Sequence, residues 1–534
     1  MSAPYVTSSP NVARTTARAN HLDSVDPASG EVIARFEMTA SADVAAVVAR
    51  ARQAQGAWAR TTLRERCAML RRLRDVLFAR RQEIAEVITR EAGKPRVESL
   101  LSEVMLIIDT ADYYARRAPR MLRPERVSHH SLAVKAKSGW LQYEPCGVVG
   151  VISPWNYPVS IPFGVLIPAM VAGNAVVLKP SELTPWCGAL VGELFEQAGL
   201  PAGLLQIIQG GGDVGAALIE AQPDKIVFTG SVATGRRVAE ACARKLIPSV
   251  LELGGKDAMI VLADADLETA SSAAVWGSFT NCGQACLSVE RLYVARSVAE
   301  RFTQLCVAKT KKLKIGPGLD GDTEVGPMIR AGQVERVEEQ LRDALARGAK
   351  IIAGGARRTD LGECFFAPTI VTGVNHSMLL MQEETFGPVM TICVVENASE
   401  AVRLANDSAF GLGASVWTRD VRRGREIAGQ LKVGAAMVND VASYFAICEA
   451  PHGGRGASGW GRTHSKHGLM ELVQVKYVDV DRLPRIPKSW WYGYSEELGV
   501  AADRFIEMLF APSLKLRMAS ARDALKMVFR GHRI

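Results

Sequence analysis

The chain has 534 residues, of which 48% are hydrophobic, and a formal net charge of +8. This length exceeds that of one ordinary hydrophobic core and predicts two or three domains. The basic excess is spread along the chain until the C-terminal tail, so it gives little support to nucleic-acid binding, and no run of about eighteen apolar residues predicts a membrane-spanning helix. Ten cysteines without a framework of close pairs favour reduced thiols and, with no apolar signal peptide, a cytoplasmic protein.

The N-terminal part of the chain changes character twice. Residues 1–20 contain no acid and are rich in Ser, Thr, Ala and Arg, so we interpret 1–21 as a flexible arm, with a weak organelle-targeting segment as the alternative. From Ser41 to about Arg123, apolar residues recur at spacings of three and four, which predicts a series of helices. Residues 136–145 alternate like an exposed strand.

Short β-rich runs then alternate with helical stretches. The first series contains Val148–Ile152, Ala175–Leu178, Leu205–Ile208 and Lys225–Phe228. The second contains Ala258–Leu262, Arg291–Val294, Lys350–Ala353, Met390–Val395 and Ala435–Val438. Strands that alternate with helices predict βαβ units on largely parallel sheets. The predicted fold is α/β, with two doubly wound domains and a switch near Glu252.

Two glycine-rich turns compete as the binding site for a dinucleotide phosphate. The turn at 210–215 matches the GxGxxG pattern, but no acidic residue stands about twenty positions later at a strand end to bind a ribose. The turn at 229–235 follows a predicted strand and opens a predicted helix. There Gly230 lets backbone amides approach a pyrophosphate, and Ser231 places a hydroxyl at a helix N-terminus. We therefore favour the second turn.

A possible nucleophile, base and oxyanion donor occur in three short motifs. Cys286 ends the run Cys-Gly-Gln-Ala-Cys, Glu252 lies in Leu-Glu-Leu-Gly-Gly-Lys, and Asn156 lies in Ser-Pro-Trp-Asn-Tyr-Pro. A cysteine that attacks a carbonyl needs a nearby oxyanion donor and, later, activated water. Each residue alone has a simpler interpretation, namely a buried thiol, a paired carboxylate and an asparagine that closes a turn. Cys282, four positions before Cys286, is more typical of a structural thiol.

Six motifs taken together are more specific than any one of them. They are Asn-Tyr-Pro at 156–158, Lys-Pro-Ser-Glu at 179–182, Phe-Thr-Gly-Ser at 228–231, Glu-Leu-Gly-Gly-Lys at 252–256, Gly-Gln-Ala-Cys at 283–286 and Glu-Glu-Thr-Phe-Gly-Pro at 383–388. In this order they resemble the NAD(P)-dependent aldehyde dehydrogenases, over roughly residues 22–482. The resemblance implies an NAD-binding domain at 22–127 and 146–252, a catalytic domain at 253–468, and an oligomerisation arm at 128–145 and 469–483. The tail at 484–534 lies outside the shared pattern.

The same resemblance implies a mechanism and a cofactor. Cys286 attacks an aldehyde, the Asn156 amide and the Cys286 backbone N–H hold the alkoxide, and water activated by Glu252 hydrolyses the resulting thioester. A carboxylate at position 252 favours hydrolysis over acyl transfer to coenzyme A. The implied cofactor-binding residues are Trp155, Lys179, Glu182, Gly230, Ser231, Gly235, Glu384 and Phe386. Since Glu182 would repel a 2′-phosphate, NAD is favoured over NADP. No residue is assigned to a metal ion.

The substrate side of the site departs from two patterns in the family. Gly164 and Thr280 stand where members that act on succinate semialdehyde often carry arginine, and where members that act on small aldehydes often carry aromatic residues. Small residues at both positions predict a wide, uncharged entrance, which Tyr157, Tyr444 and Phe445 could line. This favours medium- or long-chain aliphatic or bulky aromatic aldehydes. A semialdehyde dehydrogenase with a different anion site is the alternative.

Two further departures are His452 and Thr463, where the family usually has Pro-Phe-Gly-Gly and Gly-Arg-Glu. The sequence assigns them no role.

Two segments lie outside the main sheets. The alternating run at 473–480 is predicted to pair with the strand near 138–144, and in the family these segments add a strand to a neighbouring subunit's sheet, which implies a homodimer or homotetramer. The tail is basic and amphipathic, which predicts either a helix packed on the protein or peripheral contact with an anionic membrane.

Two hypotheses from other classes remain. A non-catalytic membrane-associated binding protein would not need Cys286, Glu252 and Asn156 together. A cofactor-free thioesterase or acyltransferase would not need Lys179 or the glycine turn at 229–235.

Overall fold

The computed structural model describes residues 20–131, 134–485, 488 and 490–529. Of the predicted N-terminal arm, residues 1–19 lie outside the described residues, and His21 already begins a strand. The chain divides into two compact units, Met1–Met121 with Pro145–Gln474, and Leu122–Glu144 with Val475–Ile534. None of the helices in the described part of the chain is long and apolar enough to cross a membrane.

The elements follow one another along both units. The strands are β1 (His21–Val25), β2 (Val32–Glu37), β3 (Glu125–Val127), β4 (Lys137–Pro145), β5 (Val148–Ile152), β6 (Ala175–Lys179), β7 (Leu205–Ile207), β8 (Lys225–Thr229), β9 (Ser249–Glu252), β10 (Asp257–Val261), β11 (Val289–Ala295), β12 (Lys350–Ala353), β13 (Thr369–Thr372), β14 (Val389–Val395), β15 (Gly413–Trp417), β16 (Ala435–Val438), β17 (Gly459–Trp460) and β18 (Val473–Asp481). The α-helices are α1 (Val44–Trp58), α2 (Leu63–Ala79), α3 (Arg81–Ala92), α4 (Arg96–Ser99), α5 (Met105–Met121), α6 (Ser160–Ala172), α7 (Pro185–Gln197), α8 (Gly212–Glu220), α9 (Val232–Arg244), α10 (Leu267–Phe279), α11 (Arg296–Thr310), α12 (Ala331–Ala346), α13 (Leu379–Gln382), α14 (Ala398–Asn406), α15 (Val421–Ala428), α16 (Ser465–Met470), α17 (Glu496–Phe510) and α18 (Leu514–Phe529).

The first large sheet has the strand order β17-β9-β8-β5-β6-β7, and all its pairs are parallel except β17 with β9. From β5 the chain moves to β6 and β7 on one side and then returns to β8 and β9 on the other. This reversal leaves a crevice at the carboxyl ends of β5 and β8, which is where open α/β sheets bind ligands. The predicted strands β5 to β8 are confirmed within one residue at each end.

The second large sheet has the order β12-β13-β14-β11-β10-β15-β16, with only β12 antiparallel to its neighbour. Its strands and the helices on them enclose a continuous apolar core that includes Met259, Leu292 and Phe302, all fully buried. The chain leaves the first sheet at Glu252 and enters the second at Asp257. The predicted α/β fold with two parallel-sheet domains is therefore confirmed.

The helical prediction for the N-terminal region is also confirmed, since α1 to α5 occupy Val44–Met121 with a π-helical turn at Leu100–Val104. Local signals explain the ends of two of these helices. A capping box between Thr62 and Glu65 begins α2, and α3 ends at Gly93, whose φ of 78° is left-handed.

The second unit contains a three-stranded sheet with the order β18-β4-β3 and a helical tail. The predicted pairing of the run at 473–480 with the strand near 138–144 is confirmed. In this sheet Gly139 leaves room for Tyr477, whose ring would lie 2.4 Å from a Cβ at that position. In the tail, α17 and α18 pack against each other, and Ser520 Oγ donates to Glu507 Oε2 at 2.5 Å. Residues 530–534 of the predicted tail helix lie outside the described part.

Candidate active site

Cys286 follows a turn with an unusual backbone. Asn281, Cys282 and Gly283 are consecutive left-handed residues with φ of 50°, 56° and 70°. A left-handed non-glycine residue costs roughly 1–2 kcal/mol, so neighbouring groups must hold this turn. A Cβ on Gly283 would lie 2.1 Å from the Gly387 carbonyl oxygen, and only glycine fits there. Cys282 is buried in this turn, as expected of a structural thiol, and does not lie on an α-helix.

Hydrogen bonds from several segments hold the turn in place. The Asn281 amide donates to the carbonyl oxygens of Asn156 at 3.0 Å and Gln284 at 3.1 Å. The backbone N–H of Asn281 donates to Glu98 Oε2 at 2.8 Å, and the Gln284 side chain accepts from the Ile329 N–H at 2.8 Å. The position of Cys286 is therefore set by groups far away in the sequence.

Asn156 lies just beyond the carboxyl end of β5 and beside the cysteine turn. Its side-chain Nδ2 donates to the carbonyl oxygen of Gln284 at 3.0 Å. A side-chain amide carries two N–H donors, so this bond leaves one donor for an oxyanion. Asn156 is buried, and this raises the electrostatic value of that donor.

A buried ion pair supports the segment that carries Asn156. Lys94 Nζ lies 2.6 Å from Glu103 Oε1, both side chains are fully buried, and Lys94 also donates to the Asn156 carbonyl oxygen at 2.7 Å. The other Glu103 oxygen accepts from the backbone N–H groups of Val159 and Ser160 at 2.9 and 3.0 Å. Removal of one partner from such a pair costs about 3–5 kcal/mol. Sequence reasoning missed both residues, because their contacts lie in another segment.

Glu252 ends β9 and is 4% exposed. Neither of its carboxylate oxygens has a hydrogen-bond partner among the described residues. Burial raises the pKa of Glu252 well above its ordinary value, and the nearby Arg462 guanidinium opposes this shift only in part. A carboxylate with a raised pKa is a stronger base once it is ionised.

Two histidines that the sequence assigned no role lie in the same region. His452 Nε2 is 3.8 Å from Glu252 Oε2, and His452 Nδ1 is 3.1 Å from the Tyr444 hydroxyl. Burial lowers the pKa of His452 to about 3 and that of His464 to about 4. Both imidazoles are therefore neutral at physiological pH.

Cys286 and Glu252 line one cavity of about 250 Å³. Its apolar lining consists of Leu101, Leu106, Ile161, Val165, Leu253, Trp276, Ala285, Leu287, Ala442, Phe445 and Ala446. Its polar lining consists of Ser102, Tyr157, Thr229, Thr280, Ser443, His452, Thr463 and His464. No lysine or arginine is among the described residues that line it. The chemistry of this space suits an apolar ligand.

The five predicted pocket residues divide into two groups. Tyr157, Thr280 and Phe445 line the cavity with the candidate nucleophile. Gly164 and Tyr444 do not line it: a Cβ on Gly164 would lie 3.2 Å from His464 Nε2, and the Tyr444 hydroxyl binds His452. Among the lining residues that sequence reasoning missed, those on α5 and α10 carry no local signal, because apolar residues on a helix are expected to pack in the core.

Cys286 is partly exposed and lines this cavity. Desolvation is the largest cause that raises its pKa, and the carboxylates of Glu384, Asp257 and Glu252 add to the effect. The resting form is therefore the neutral thiol, and attack on a carbonyl requires a base that removes the thiol proton.

The crevice at the carboxyl ends of β5, β6 and β8 collects most of the predicted cofactor-binding residues. Lys179 ends β6, and its Nζ lies 3.0 Å from Glu182 Oε2. Lys179 is buried, but the Glu182 side chain is half exposed and can accept from a hydroxyl. Ser231 caps α9 by accepting from the Thr234 N–H at 3.3 Å. These groups fit the sugar and phosphate parts of a dinucleotide.

Two glycines allow close packing at this crevice, because a side chain at either position would clash with a neighbouring residue. A Cβ on Gly230 would lie 2.7 Å from the Phe228 ring, and one on Gly235 would lie 2.4 Å from Leu253 Cδ2. The competing turn at 210–215 follows the edge strand β7, and Asp213 lies in the first turn of α8. A carboxylate at that helix N-terminus opposes phosphate binding, which supports the preference for the second turn.

Glu384 and Phe386 lie on a loop that approaches both sheets. Glu384 Oε1 accepts from the Gly255 N–H at 3.1 Å, and burial raises the pKa of Glu384 to about 8. The Phe386 ring meets the Trp155 ring edge-on, with centroids 5.4 Å apart. Glu290 holds the loop by accepting from the Phe386 N–H at 3.2 Å.

No group of three or more side chains in the described ranges is arranged to hold a metal ion.

Comparisons with known proteins agree with this geometry. The chain matches the Aldehyde dehydrogenase family over residues 14–478. It is 38% identical over 511 residues to "4,4′-diapolycopene aldehyde oxidase" of Methylomonas sp, with 95% of each chain covered. It is 40% identical to "Putative succinate-semialdehyde dehydrogenase NADP(+) 2" of Mycobacterium ulcerans, over 85% of this chain and 88% of that protein. Betaine aldehyde dehydrogenase from Staphylococcus aureus, solved in complex with NAD+, superposes with a TM-score of 0.84 at 34% identity, over 89% of this chain and 96% of that one.

Proposed function

Because the chain belongs to the aldehyde dehydrogenase family, whose members are oxidoreductases that act on aldehydes, we propose that it oxidises an apolar aldehyde to the carboxylic acid with NAD. The observation that carries this proposal is the single cavity that Cys286 and Glu252 share. A nucleophile and a base in one apolar space can perform acyl chemistry on a substrate that buries its hydrocarbon part there.

The first step uses three groups of the protein. Cys286 Sγ bonds to the aldehyde carbon, the thiol proton passes to a base in the cavity, and the carbonyl oxygen becomes an alkoxide. The alkoxide accepts from the remaining Asn156 Nδ2–H and from the Cys286 backbone N–H. Loss of one such donor costs about 3 kcal/mol, or a hundredfold or more in rate. The network that joins Asn156 to Gln284 keeps this donor in position.

The residues of the crevice fit a dinucleotide with hydroxyl groups on the adenosine ribose. Lys179 and Glu182 would hold these hydroxyls, Gly230, Ser231 and Gly235 would receive the pyrophosphate, and the loop of Glu384 and Phe386 would hold the nicotinamide half with Trp155. The chemistry that NAD supplies when bound is two-electron oxidation of the thiohemiacetal to a thioester. Glu182 repels a 2′-phosphate, which favours NAD over NADP, although a relative is named for NADP(+).

Hydrolysis completes the reaction. Glu252 takes a proton from a water molecule and the oxygen of that water bonds to the thioester carbon. The C–S bond then breaks, Glu252 gives its proton to the sulfur to return the Cys286 thiol, and the acid is released. The apolar cavity raises the basicity of Glu252, because burial disfavours its charged form.

The apolar lining supports the substrate class. A carboxylate in such a cavity would lose its hydration without gaining a cationic partner. The relative named for 4,4′-diapolycopene aldehyde supports this choice, since the skeleton in that name is a hydrocarbon.

The alignment with this relative spans 511 residues, which cannot fit within residues 1–483, so the sequence similarity continues into the tail.

Oxidation of succinate semialdehyde is the second candidate, and the 40% identical relative favours it. It would require a cation near the distal carboxylate. A cation whose charge acts on Glu252 is Arg462, but its guanidinium already donates to the carbonyl oxygens of Gly454 and Gly461 at 3.2 and 2.6 Å. The apolar hypothesis therefore fits the cavity better.

A substrate comparison tests this proposal. Purified protein with NAD is offered pentanal, dodecanal, benzaldehyde and succinate semialdehyde, and NADH formation is followed at 340 nm. Pentanal and succinate semialdehyde have similar lengths, so their ratio isolates the cost of the carboxylate. We expect kcat/KM for pentanal to exceed that for the semialdehyde by about tenfold or more, a difference of roughly 1.4 kcal/mol, and dodecanal to be better still. Preference for the semialdehyde would reject the apolar substrate class and retain the chemistry.

We further propose that the chain forms a homodimer or homotetramer through the sheet β18-β4-β3. β18 carries exposed apolar side chains, among them Val475 and Tyr477, as expected of a strand that meets another subunit. Sedimentation velocity separates these states, and a monomer at micromolar concentration would contradict the proposal.

The tail is proposed to contact an anionic membrane surface from the cytoplasm. On α17 and α18, Phe510, Leu514 and Met518 are each about two-thirds exposed or more. Sequence positions 511–534 carry six basic residues and one acid. Exposed apolar side chains beside basic ones are typical of interfacial helices.

Vesicle flotation tests the tail. We expect the full chain to float with vesicles that contain phosphatidylglycerol, and less with pure phosphatidylcholine, because each basic residue near an anionic surface contributes about 1 kcal/mol. The double variant Leu514→Glu, Met518→Glu should lose most of the bound fraction. Leu246→Glu, which changes an exposed leucine outside the tail, should float like the wild type. Equal behaviour of all three proteins would reject the membrane contact.

A further inference from the structure

Tyr444 and His452 lie next to Glu252, the proposed base, and have no role in the reaction steps described above. The Tyr444 hydroxyl is 3.1 Å from His452 Nδ1, and His452 Nε2 is 3.8 Å from Glu252 Oε2. The two side chains are 6% and 5% exposed, and Glu252 is 4% exposed. The three groups therefore form a buried row that ends at the only carboxylate lining the described cavity.

The protons of this row follow from its chemistry. A neutral imidazole carries one N–H, and the low pKa of His452 keeps it neutral. If the Tyr444 hydroxyl donates to Nδ1, the single N–H of His452 is on Nε2 and faces Glu252. This arrangement offers a donor to a carboxylate that otherwise has no hydrogen-bond partner among the described residues.

The surroundings fix the imidazole in this direction. The Phe445 ring meets it edge-on with centroids 5.0 Å apart, and the His464 ring does so at 5.9 Å. The backbone of His452 exchanges two hydrogen bonds with Thr463, each of 2.9 Å. The charged neighbour Arg462 donates to the backbone carbonyl oxygens of Gly454 and Gly461. The imidazole nitrogens face Tyr444 and Glu252.

The distance of 3.8 Å is longer than a hydrogen bond but allows one after a small movement of the Glu252 side chain. Contacts of catalytic groups are often long before the reacting complex forms. When His452 Nε2–H binds one oxygen of the Glu252 carboxylate, the orientation of the other oxygen is fixed. No described side chain forms a hydrogen bond with the Glu252 carboxylate at present.

We infer that Tyr444 and His452 are positioning residues that orient the Glu252 carboxylate for hydrolysis of the Cys286 thioester. This inference rests on the proposed function. It depends on a departure from the family pattern, which has phenylalanine at position 452, a side chain that cannot donate. The pair acts on the hydrolytic step and not on the oxidation that precedes it.

The experiment separates the two steps by rapid mixing with dodecanal and NAD. His452→Phe should keep a burst of about one NADH per subunit, while the steady-state kcat falls about tenfold. Tyr444→Phe should show the same burst with a smaller loss, since the imidazole then keeps its place but loses control of its tautomer. His452→Gln places an amide N–H near Nε2 and should recover at least half of the wild-type kcat. The exposed His467→Gln is the matched control and should behave as the wild type.

Three outcomes decide the inference. A retained burst with a slow steady state, rescued by glutamine, supports it. An unchanged kcat in His452→Phe, or burst and steady state that fall together and are not rescued, overturns it while the proposed function stands. A wild-type protein that makes no NADH from any aldehyde in the panel overturns the proposed function and this inference together.

Discussion

Cys286→Ala is expected to abolish NADH formation, with kcat lower by roughly a hundred thousandfold or more, as for removal of other enzyme nucleophiles. The reason is chemical, because without the Cys286 sulfur no thiohemiacetal forms and the aldehyde carbon has no covalent partner to oxidise. NADH production from dodecanal at saturating NAD measures the loss. The variant should fold normally, since Cys286 is partly accessible and its side chain makes no hydrogen bond that the turn requires.

Two controls make this result specific. Cys393→Ala changes a half-buried cysteine on β14 that does not line the cavity, and this variant should retain wild-type activity. Alkylation by iodoacetamide followed by mass spectrometry should label Cys286 in the wild type, slowly because its pKa is raised by burial. Activity in Cys286→Ala would contradict the assignment and direct attention to Cys282, the nearest thiol in sequence.

Glu252→Gln should lower the steady-state kcat by about a hundredfold to ten-thousandfold, the usual contribution of a general base. Glutamine fills the same space but cannot accept a proton from water. Oxidation precedes hydrolysis, so the burst should still reach about one NADH per subunit, although it can be slower. Acid quench and mass spectrometry should then find the acyl group on Cys286. Loss of the burst amplitude would show that Glu252 is needed for an earlier step.

The pH dependence gives an independent check of this base. Hydrolysis needs ionised Glu252, so the wild-type kcat should rise with pH through the pKa of this group. Burial raises that pKa well above its ordinary value, which moves the rise to higher pH than for an exposed glutamate. In Glu252→Gln the rise should disappear. A profile that is the same in both proteins would contradict the role of Glu252.

Stability distinguishes lost chemistry from lost structure. Since the folded pKa of Glu252 is above its unfolded value, the protonated form favours the fold, and this stability is lost as pH rises through the folded pKa. The glutamine variant has no charge to bury. It should therefore melt at a temperature equal to or higher than that of the wild type at neutral pH, so unfolding cannot explain its slow turnover.

Several features could be predicted from sequence because they are written in neighbouring residues. Hydrophobic runs such as Val148–Ile152 alternate with helical periodicity, and this local pattern is enough to identify buried parallel strands. Strand β15 was missed for the opposite reason. β15, Gly413–Trp417, begins with small residues of low strand propensity, and only its place between β10 and β16 makes it a strand.

The sequence by itself determined the α/β class, and through the resemblance of its short motifs it predicted the nucleophile, the base and the oxyanion donor that we propose. Only the tertiary structure decided what surrounds them. Lys94 reaches Asn156 from 62 positions away, and His452 reaches Glu252 from the far end of the same unit. Such contacts depend on how sheets and loops meet in space, and local sequence periodicity does not predict them. The left-handed turn before Cys286 is of the same kind, since neighbours distant in sequence stabilise a backbone that its own residues disfavour.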